Sequence, residues 1–209
     1  MTGLFVAFEG GEGVGKSTQI ARAAAWLRAH GHPVLETREP GGTPLGQELR
    51  RLVLDPAGHV TPRAETLLYA ADRAYHVDTM IRPALEAGQI VLTDRYVDST
   101  LAYQGAGRGL DDARVVTTWA TGGLLPDLTV LLDLDPRIGL ARAGARSSLD
   151  RLEADSLAFH EAVRAGFLAL AAETPDRYVV LDADQPVDVL AEQVATALAQ
   201  RVGPLDVER

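Results

Sequence analysis

One run of nine residues near the start, Gly10-Gly11-Glu12-Gly13-Val14-Gly15-Lys16-Ser17-Thr18, constrains this chain more than any other stretch. It satisfies G-x-x-x-x-G-K-[ST], a loop whose backbone N–H groups wrap phosphate oxygens. The flanking residues supply the context such a loop needs. Leu4-Phe5-Val6-Ala7-Phe8 is short, apolar and aromatic-rich, and reads as a buried strand. Beyond the loop Ile20, Ala23, Ala24 and Leu27 recur at helical spacing, ending at His30-Gly31. Strand, glycine loop and helix N-terminus together make an anion site. Gly10 to Thr18 is thus a candidate nucleotide-phosphate loop, with Lys16 bridging the outer phosphates and Ser17 a candidate ligand for Mg2+. Lys16 is also the single lysine among 20 basic residues, all the others being arginine. Lysine meets a phosphate as a compact point charge, which arginine's planar fork does not reproduce.

With 209 residues and 46% hydrophobic content, the chain can bury one good core, and a single domain spanning 1–209 is expected. A formal charge of −9 argues against nucleic-acid or anionic-membrane binding, which needs a basic face. Cysteine is absent, excluding disulfides and thiolate metal sites. No apolar run is long enough to span a bilayer, and the N-terminus reads as core strand rather than leader, so a soluble cytoplasmic protein with no membrane partner is expected. Asparagine is absent too, and Lys16 has no companion, so the N-K-x-D guanine reader of a GTPase switch cannot be built.

Apolar runs and helical patterns alternate along the chain, the signature of a parallel α/β sheet. Strands are expected at 4–8, 33–37, 90–94, 128–134 and 178–181. The helices between them are expected near 45–54, from Pro62 onward with a kink or restart at Pro83, near 99–103, at 111–121, after Asp135-Pro136, and over about 151–173. Gly105-Ala106-Gly107-Arg108-Gly109 reads as a glycine-rich separator, and Val187, Leu190, Val194 and Leu198 mark a closing helix. The fold class is α/β: a five-stranded parallel sheet with helices on both faces. Ligands of such sheets sit beyond the carboxyl ends of the strands. The phosphate loop, Arg38-Glu39 and Asp94-Arg95 would therefore face one crevice.

Phosphoryl transfer at that crevice needs Mg2+, in-line positioning and cations around the migrating group. Two strand-end carboxylates could serve the metal, Asp94 and Asp133. Asp94 is preferred because Arg95 follows it, whereas Leu134-Asp135-Pro136 after Asp133 reads as a helix entry capped by Asp135. Arg142, Arg146 and Arg151 crowd a short polar stretch, and arginines on a mobile lid at about 142–152 could close over phosphates. Tyr69 and Arg73, four residues apart, share a helix face. Periodicity alone favours a core tyrosine and a surface arginine there.

These residues together resemble the bacterial thymidylate kinases, P-loop nucleoside monophosphate kinases that make dTDP from dTMP and ATP. The matching pieces run nearly end to end: Phe8-Glu9-Gly10 into the loop, Thr37-Arg38-Glu39-Pro40-Gly41-Gly42-Thr43, Tyr69-Ala70-Ala71-Asp72-Arg73, Asp94-Arg95-Tyr96 with Ser99 and Ala102-Tyr103-Gln104-Gly105, and Leu149-Asp150-Arg151-Leu152-Glu153. The resemblance implies Mg2+, ATP as donor, dTMP as acceptor and a homodimer. It implies that Glu12 contacts the 3′-hydroxyl of dTMP, that Arg38 and Arg95 clamp its phosphate, and that Tyr69 stacks on thymine while Arg73 donates to its O4. Tyr103 would sit against the sugar and Gln104 near the base; Thr100 stands where some relatives have Asn. Relatives with glycine at the position of Gly13 carry the catalytic arginine in the lid, so the resemblance points to Arg142, Arg146 or Arg151. Gly144 and Ser147 depart from the commoner lid pattern, and which arginine touches the transferred group stays open. Two other readings stand beside this one: a kinase for another monophosphate or a deoxynucleoside, and a P-loop ATPase used as a switch.

Overall fold

Alternation of side chains along the first strand decides the layering. In β1 (Phe5–Glu9) every residue is buried, with Val6 and Phe8 packed into one apolar cluster and Phe5 and Ala7 into another. A strand buried on both faces belongs at the centre of a parallel sheet. The computed structural model describes residues 3–145 and 150–202. Its sheet has five parallel strands in the order β2-β3-β1-β4-β5, where β2 is Val34–Arg38, β3 Ile90–Asp94, β4 Leu128–Asp133 and β5 Tyr178–Asp182.

Two helices cover the Val6 face, α1 (Lys16–Ala29) and α9 (Val187–Ala199), through Ile20, Ala24, Leu27, Leu190, Val194 and Leu198. The other face is covered near β3 by Val77, Ile81 and Val97, and near β4 by Tyr103, Phe159, Val163 and Phe167. The helices between are α2 (Pro44–Leu54), α3 (Pro62–His76), α4 (Arg82–Glu86), α5 (Val97–Thr100), α6 (Ala113–Thr121), α7 (Pro136–Gly144) and α8 (Leu157–Glu173). Among the described residues no helix is long and apolar enough to cross a membrane.

The register places the site. Arg38 and Phe8 both stand opposite Asp94, so the ends of β2, β3 and β1 lie at one height. The ladder continues one step into the loops, with Glu39 N–H donating to the Asp94 carbonyl at 2.8 Å and Arg95 N–H to the Phe8 carbonyl at 2.9 Å.

Two local expectations change, and the expected kink or restart at Pro83 is met. The helix expected from Arg151 begins at Leu157, where the Ser156 hydroxyl accepts from Phe159 N–H. Before it, the Asp150 carboxylate accepts from the N–H groups of Leu152 and Glu153, and this side-chain turn competes with helix formation. The glycine-rich separator is partly wound into a π-helical segment, Leu101–Gly107, that continues α5. A second π turn, Val77–Ile81, joins α3 to α4 just before Pro83, which lacks the N–H needed to continue an ordinary helix.

Candidate active site

At the phosphate end, α1 begins at Lys16 because Gly15 adopts a left-handed φ of 95° and turns the chain into the helix. Lys16 is buried, and its Nζ donates to the carbonyls of Gly10 (3.1 Å) and Gly11 (2.7 Å). Burial and the neighbouring Arg95 charge push its ammonium down to about 8. Ser17 Oγ donates to Asp94 Oδ2 at 2.9 Å, bringing a hydroxyl and a carboxylate together at the loop. Glu12, Lys16, Arg38, Arg50, Asp94 and Arg95 line the surrounding cleft of about 780 Å³. Arg38 is exposed there and makes no side-chain hydrogen bond or ion pair with a described residue.

Gly13 is a position where the loop cannot carry an arginine. Its φ is +66°, and an added Cβ would stand 2.0 Å from the carbonyl oxygen of Gly139 at the start of α7. The reverse holds as well, since a Cβ on Gly139 would lie 2.2 Å from the Glu12 carbonyl oxygen. Loop and helix approach backbone to backbone.

Arg95 links this end to an adjoining cleft of about 620 Å³. It is the one non-glycine residue with positive φ (70°) among the described residues. Such backbone strain, of order 1 kcal/mol or more, persists where surrounding contacts over-determine it. One guanidinium nitrogen donates to the Gly10 carbonyl (2.9 Å) and Ser99 Oγ (3.2 Å), the other to Glu12 Oε1 (2.7 Å) and Tyr103 Oη (3.0 Å). Tyr103 Oη itself donates to Glu12 Oε1 at 2.6 Å. Burial alone would raise the Glu12 carboxyl, but Arg95, Lys16 and the Tyr103 hydroxyl outweigh it and hold the group at about 2. Glu12 is therefore an ionised acceptor at neutral pH.

Tyr69, Arg73, Thr100, Tyr103 and Gln104 line the second cleft together. Arg73 corrects the surface position that periodicity favours: it is 2% exposed. Its Nε donates to Glu39 Oε2 (2.6 Å), and its two terminal nitrogens donate to Thr100 Oγ1 (2.9 Å) and the Tyr96 carbonyl (2.8 Å). A buried guanidinium requires such partners. Gln104 Nε2 donates to Glu65 Oε1 at 2.6 Å.

Two of the three lid candidates, Arg142 and Arg151, make their contacts away from the phosphate loop. Arg142, in the last turn of α7, donates to the Ala183 carbonyl (3.1 Å) and Asp184 Oδ1 (2.8 Å). Arg151 donates to the Val53 carbonyl (2.8 Å) and Glu65 Oε2 (2.5 Å), on the side of the second cleft. Arg146 lies outside the described residues. Asp133, the alternative metal carboxylate, is held by both Nε and a terminal nitrogen of Arg164 at 2.7 Å each.

Several residues at the site have no role in the sequence reading. Glu9 is fully buried and accepts from Tyr96 N–H, Ser99 N–H and Ser99 Oγ (2.8, 3.1 and 2.6 Å). Burial and the nearby Asp98 charge push its carboxyl up to about 7. Glu39 and Glu65 brace Arg73, Gln104 and Arg151 from behind. Arg50 lines both clefts and donates to the Pro40 carbonyl at 3.1 Å. Glu9 had one readable signal, a carboxylate closing an apolar strand, the same signal that singled out Asp94.

The chain's similarities agree with this geometry. The thymidylate kinase family model matches residues 8–194. A thymidylate kinase of Clavibacter sepedonicus is 58% identical over 197 residues, covering 93% of both chains. One from Leifsonia xyli subsp. xyli is 57% identical over 203 residues, 96% of each chain. One from Deinococcus radiodurans is 57% identical over 201 residues, 95% of this chain and 98% of the relative. With two adjoining clefts, a phosphate loop and a match over most of its length, this chain belongs to the thymidylate kinase family.

Proposed function

We infer that this chain is a thymidylate kinase that transfers the γ-phosphoryl group of ATP to the phosphate of dTMP, giving dTDP and ADP for dTTP supply. The observation that carries the reading is the shared wall at Arg95. One guanidinium touches the phosphate loop through Gly10 and the second cleft through Glu12 and Tyr103. A donor phosphate on the loop and an acceptor phosphate in the cleft then meet at one cation.

The acceptor oxygen is already anionic, so the reaction needs no general base. That oxygen forms the new bond to the γ-phosphorus while the bond to the β,γ-bridging oxygen breaks, and ADP leaves with the electron pair. Catalysis is positioning and charge neutralisation. Lys16 would neutralise the outer phosphates, exchanging the two carbonyls it holds for phosphate oxygens. Arg38 and Arg95 would hold the dTMP phosphate, Tyr69 would stack on thymine, and Arg73 would donate to its O4. Thr100 and Gln104 would meet the base, Tyr103 the sugar and Glu12 the 3′-hydroxyl.

The Ser17 hydroxyl and Asp94 carboxylate are two hard oxygen donors, which fits Mg2+, an ion that keeps phosphate and water as its remaining ligands. Bound there, it supplies Lewis-acid neutralisation of phosphate charge. Arg142, Arg146 and Arg151 would supply lid cations. For Arg142 and Arg151 this requires release from Asp184 and Glu65, so we place a lid movement at about 142–152 in the catalytic cycle of one domain. The same reading puts the enzyme in the cytoplasm with its nucleotides.

A homodimer is supported by an exposed apolar layer. Helices α2, α3 and α6 pack side by side and present Leu45, Leu52, Leu67, Tyr75, Val115 and Trp119 outward, Trp119 at 83% exposure. Apolar surface of that extent on neighbouring elements marks an interface. Sedimentation should show a dimer for the native chain and a monomer for Trp119→Glu; a native monomer would overturn this arrangement. For the activity, ADP release should be measured with dTMP, dUMP, dCMP, dGMP and thymidine as acceptors. Strong preference for dTMP is expected, and no turnover with it would overturn the reading.

A further inference from the structure

Behind Arg73 lies a buried imidazole that the reaction as described does not use. His76, the last residue of α3, is fully buried and one turn beyond Arg73 on the same helix face. Its Nδ1 is 2.9 Å from Glu39 Oε1, and its Nε2 is 2.7 Å from Thr37 Oγ1. The second oxygen of that carboxylate, Oε2, takes the Arg73 Nε–H at 2.6 Å. The ring is therefore wedged between the end of β2 and the base-facing end of the second cleft.

Hydrogen-bond accounting assigns the tautomer. Glu39 accepts, so Nδ1 carries the proton. With the ring neutral, the Thr37 hydroxyl donates to Nε2, a better acceptor than the Met80 sulfur 3.6 Å away. Every polar atom of the ring is satisfied in this arrangement. The loop above approaches the ring closely, and an added Cβ at Gly42 would stand 2.8 Å from His76 Nε2 and 2.6 Å from Thr37 Oγ1.

The consequence falls on Arg73. A carboxylate gripped at one oxygen can turn about its last torsion, which is soft. Gripped at both, by the imidazole and by Nε, it fixes a plane. Thr100 and the Tyr96 carbonyl then orient the remainder of the guanidinium. We propose that His76 is a positioning residue for base recognition: acting through Glu39, it holds the Arg73 fork where it donates to the 4-carbonyl of a pyrimidine monophosphate. A 4-amino group, as in cytosine, presents a donor to that fork and is rejected. The proposal rests on the reading that Arg73 faces the base.

Two amide replacements separate the two halves of the imidazole. In His76→Asn the amide nitrogen falls near Nδ1 and can still donate to Glu39. In His76→Gln it falls near Nε2 and serves Thr37 while leaving Glu39 Oε1 without a donor. KM and kcat should be measured for dTMP, dCMP and ATP in both variants, in Arg73→Lys and in the Arg73→Lys/His76→Gln double variant. His76→Gln is expected to raise the dTMP KM about tenfold, as loss of one bond to a charged group predicts. It should narrow the preference for dTMP over dCMP and leave the ATP KM unchanged. His76→Asn should restore most of the loss, and His76→Gln should add nothing once Arg73 is lysine.

Equal losses in both single variants toward dTMP and ATP would overturn the proposal in favour of a purely structural role. A full additional loss in the double variant would also overturn it, showing that His76 does not act through Arg73. Arg73→Lys with unchanged dTMP KM and selectivity would overturn the assignment of Arg73 itself, a separate failure visible in that variant alone. Should the His76 variants not fold, nitrogen NMR of the native enzyme supplies the check. A proton on Nδ1 is expected, and a proton on Nε2 alone would overturn the proposal.

Discussion

At the phosphate end of the cleft, the candidate ATP-binding loop is a run of nine consecutive residues, Gly10 to Thr18, which would meet phosphate mostly through backbone N–H groups. At the base end, Tyr69 and Arg73 come from α3, Thr100 from α5, and Tyr103 and Gln104 from the π-helical segment after it. Those side chains are braced by Glu39 from the loop after β2 and Glu65 from the first turn of α3. The first end is a local conformation, tolerant of most changes except those that alter its shape or its single lysine. The second is a network of buried polar groups, in which removing one partner strands another. The two ends should therefore fail differently when mutated.

Lys16→Ala probes the first end at its strongest point. Turnover should fall about a hundredfold to a thousandfold, as when one donor to a developing charge is removed. The melting midpoint should stay near that of the native chain, because the buried Gly10 carbonyl keeps its bond from Arg95 and the Gly11 carbonyl is only partly buried; unchanged turnover would dissociate the loop from the chemistry. Gly13→Ala tests shape rather than charge. The forced approach to Gly139 and the positive φ should cost about 1–3 kcal/mol of stability and weaken ATP binding, with dTMP binding less affected. Calorimetric titration with each nucleotide would measure both, and an ATP affinity equal to native would show that the loop tolerates a Cβ.

A pH profile sharpens the comparison without mutation. In the free enzyme burial and the Arg95 charge depress Lys16 to about 8. Above that pH the loop loses its cation, so kcat/KM for ATP should fall about tenfold per pH unit. Bound phosphate favours the charged form, so the corresponding limb in kcat should move to higher pH. A profile flat to pH 10 would show that Lys16 is not depressed. The smallest effect is expected from Tyr103→Phe, which removes one hydroxyl bonded to Glu12 and Arg95 at the seam between the ends. The dTMP KM should rise several-fold, consistent with about 1 kcal/mol for such a bond, while the ATP KM holds. Equal changes in both would mean that the seam does not separate donor from acceptor.

Strands were the most legible elements. β3 spans the expected 90–94, and the doubly wound pattern correctly sends Arg38, Asp94 and the phosphate loop to one crevice. The start of α8 was not legible, because Arg151 to Asp155 has helical composition and only the Asp150 side-chain turn diverts it. Nor was the π-helical course through Gly105 and Gly107 legible, since local glycine content argues for a loop. Periodicity misplaced Arg73 on the surface because it cannot register a carboxylate thirty-four residues earlier in the chain. The resemblance placed Arg73 at the base by analogy, but offered no account of what keeps a buried guanidinium there.

The sequence by itself determined the alternating α/β plan, the phosphate loop and the family. Each rests on local patterns: side-chain periodicity, glycine spacing, and short runs of motif. Only the tertiary structure decided which polar residues stand in pairs. Glu39 with Arg73 and His76, Glu65 with Gln104 and Arg151, and Glu12 with Arg95 and Tyr103 are joined across distant parts of the chain. The physical reason is that a buried charge needs a partner, and packing of helices on the sheet decides which partner comes within reach.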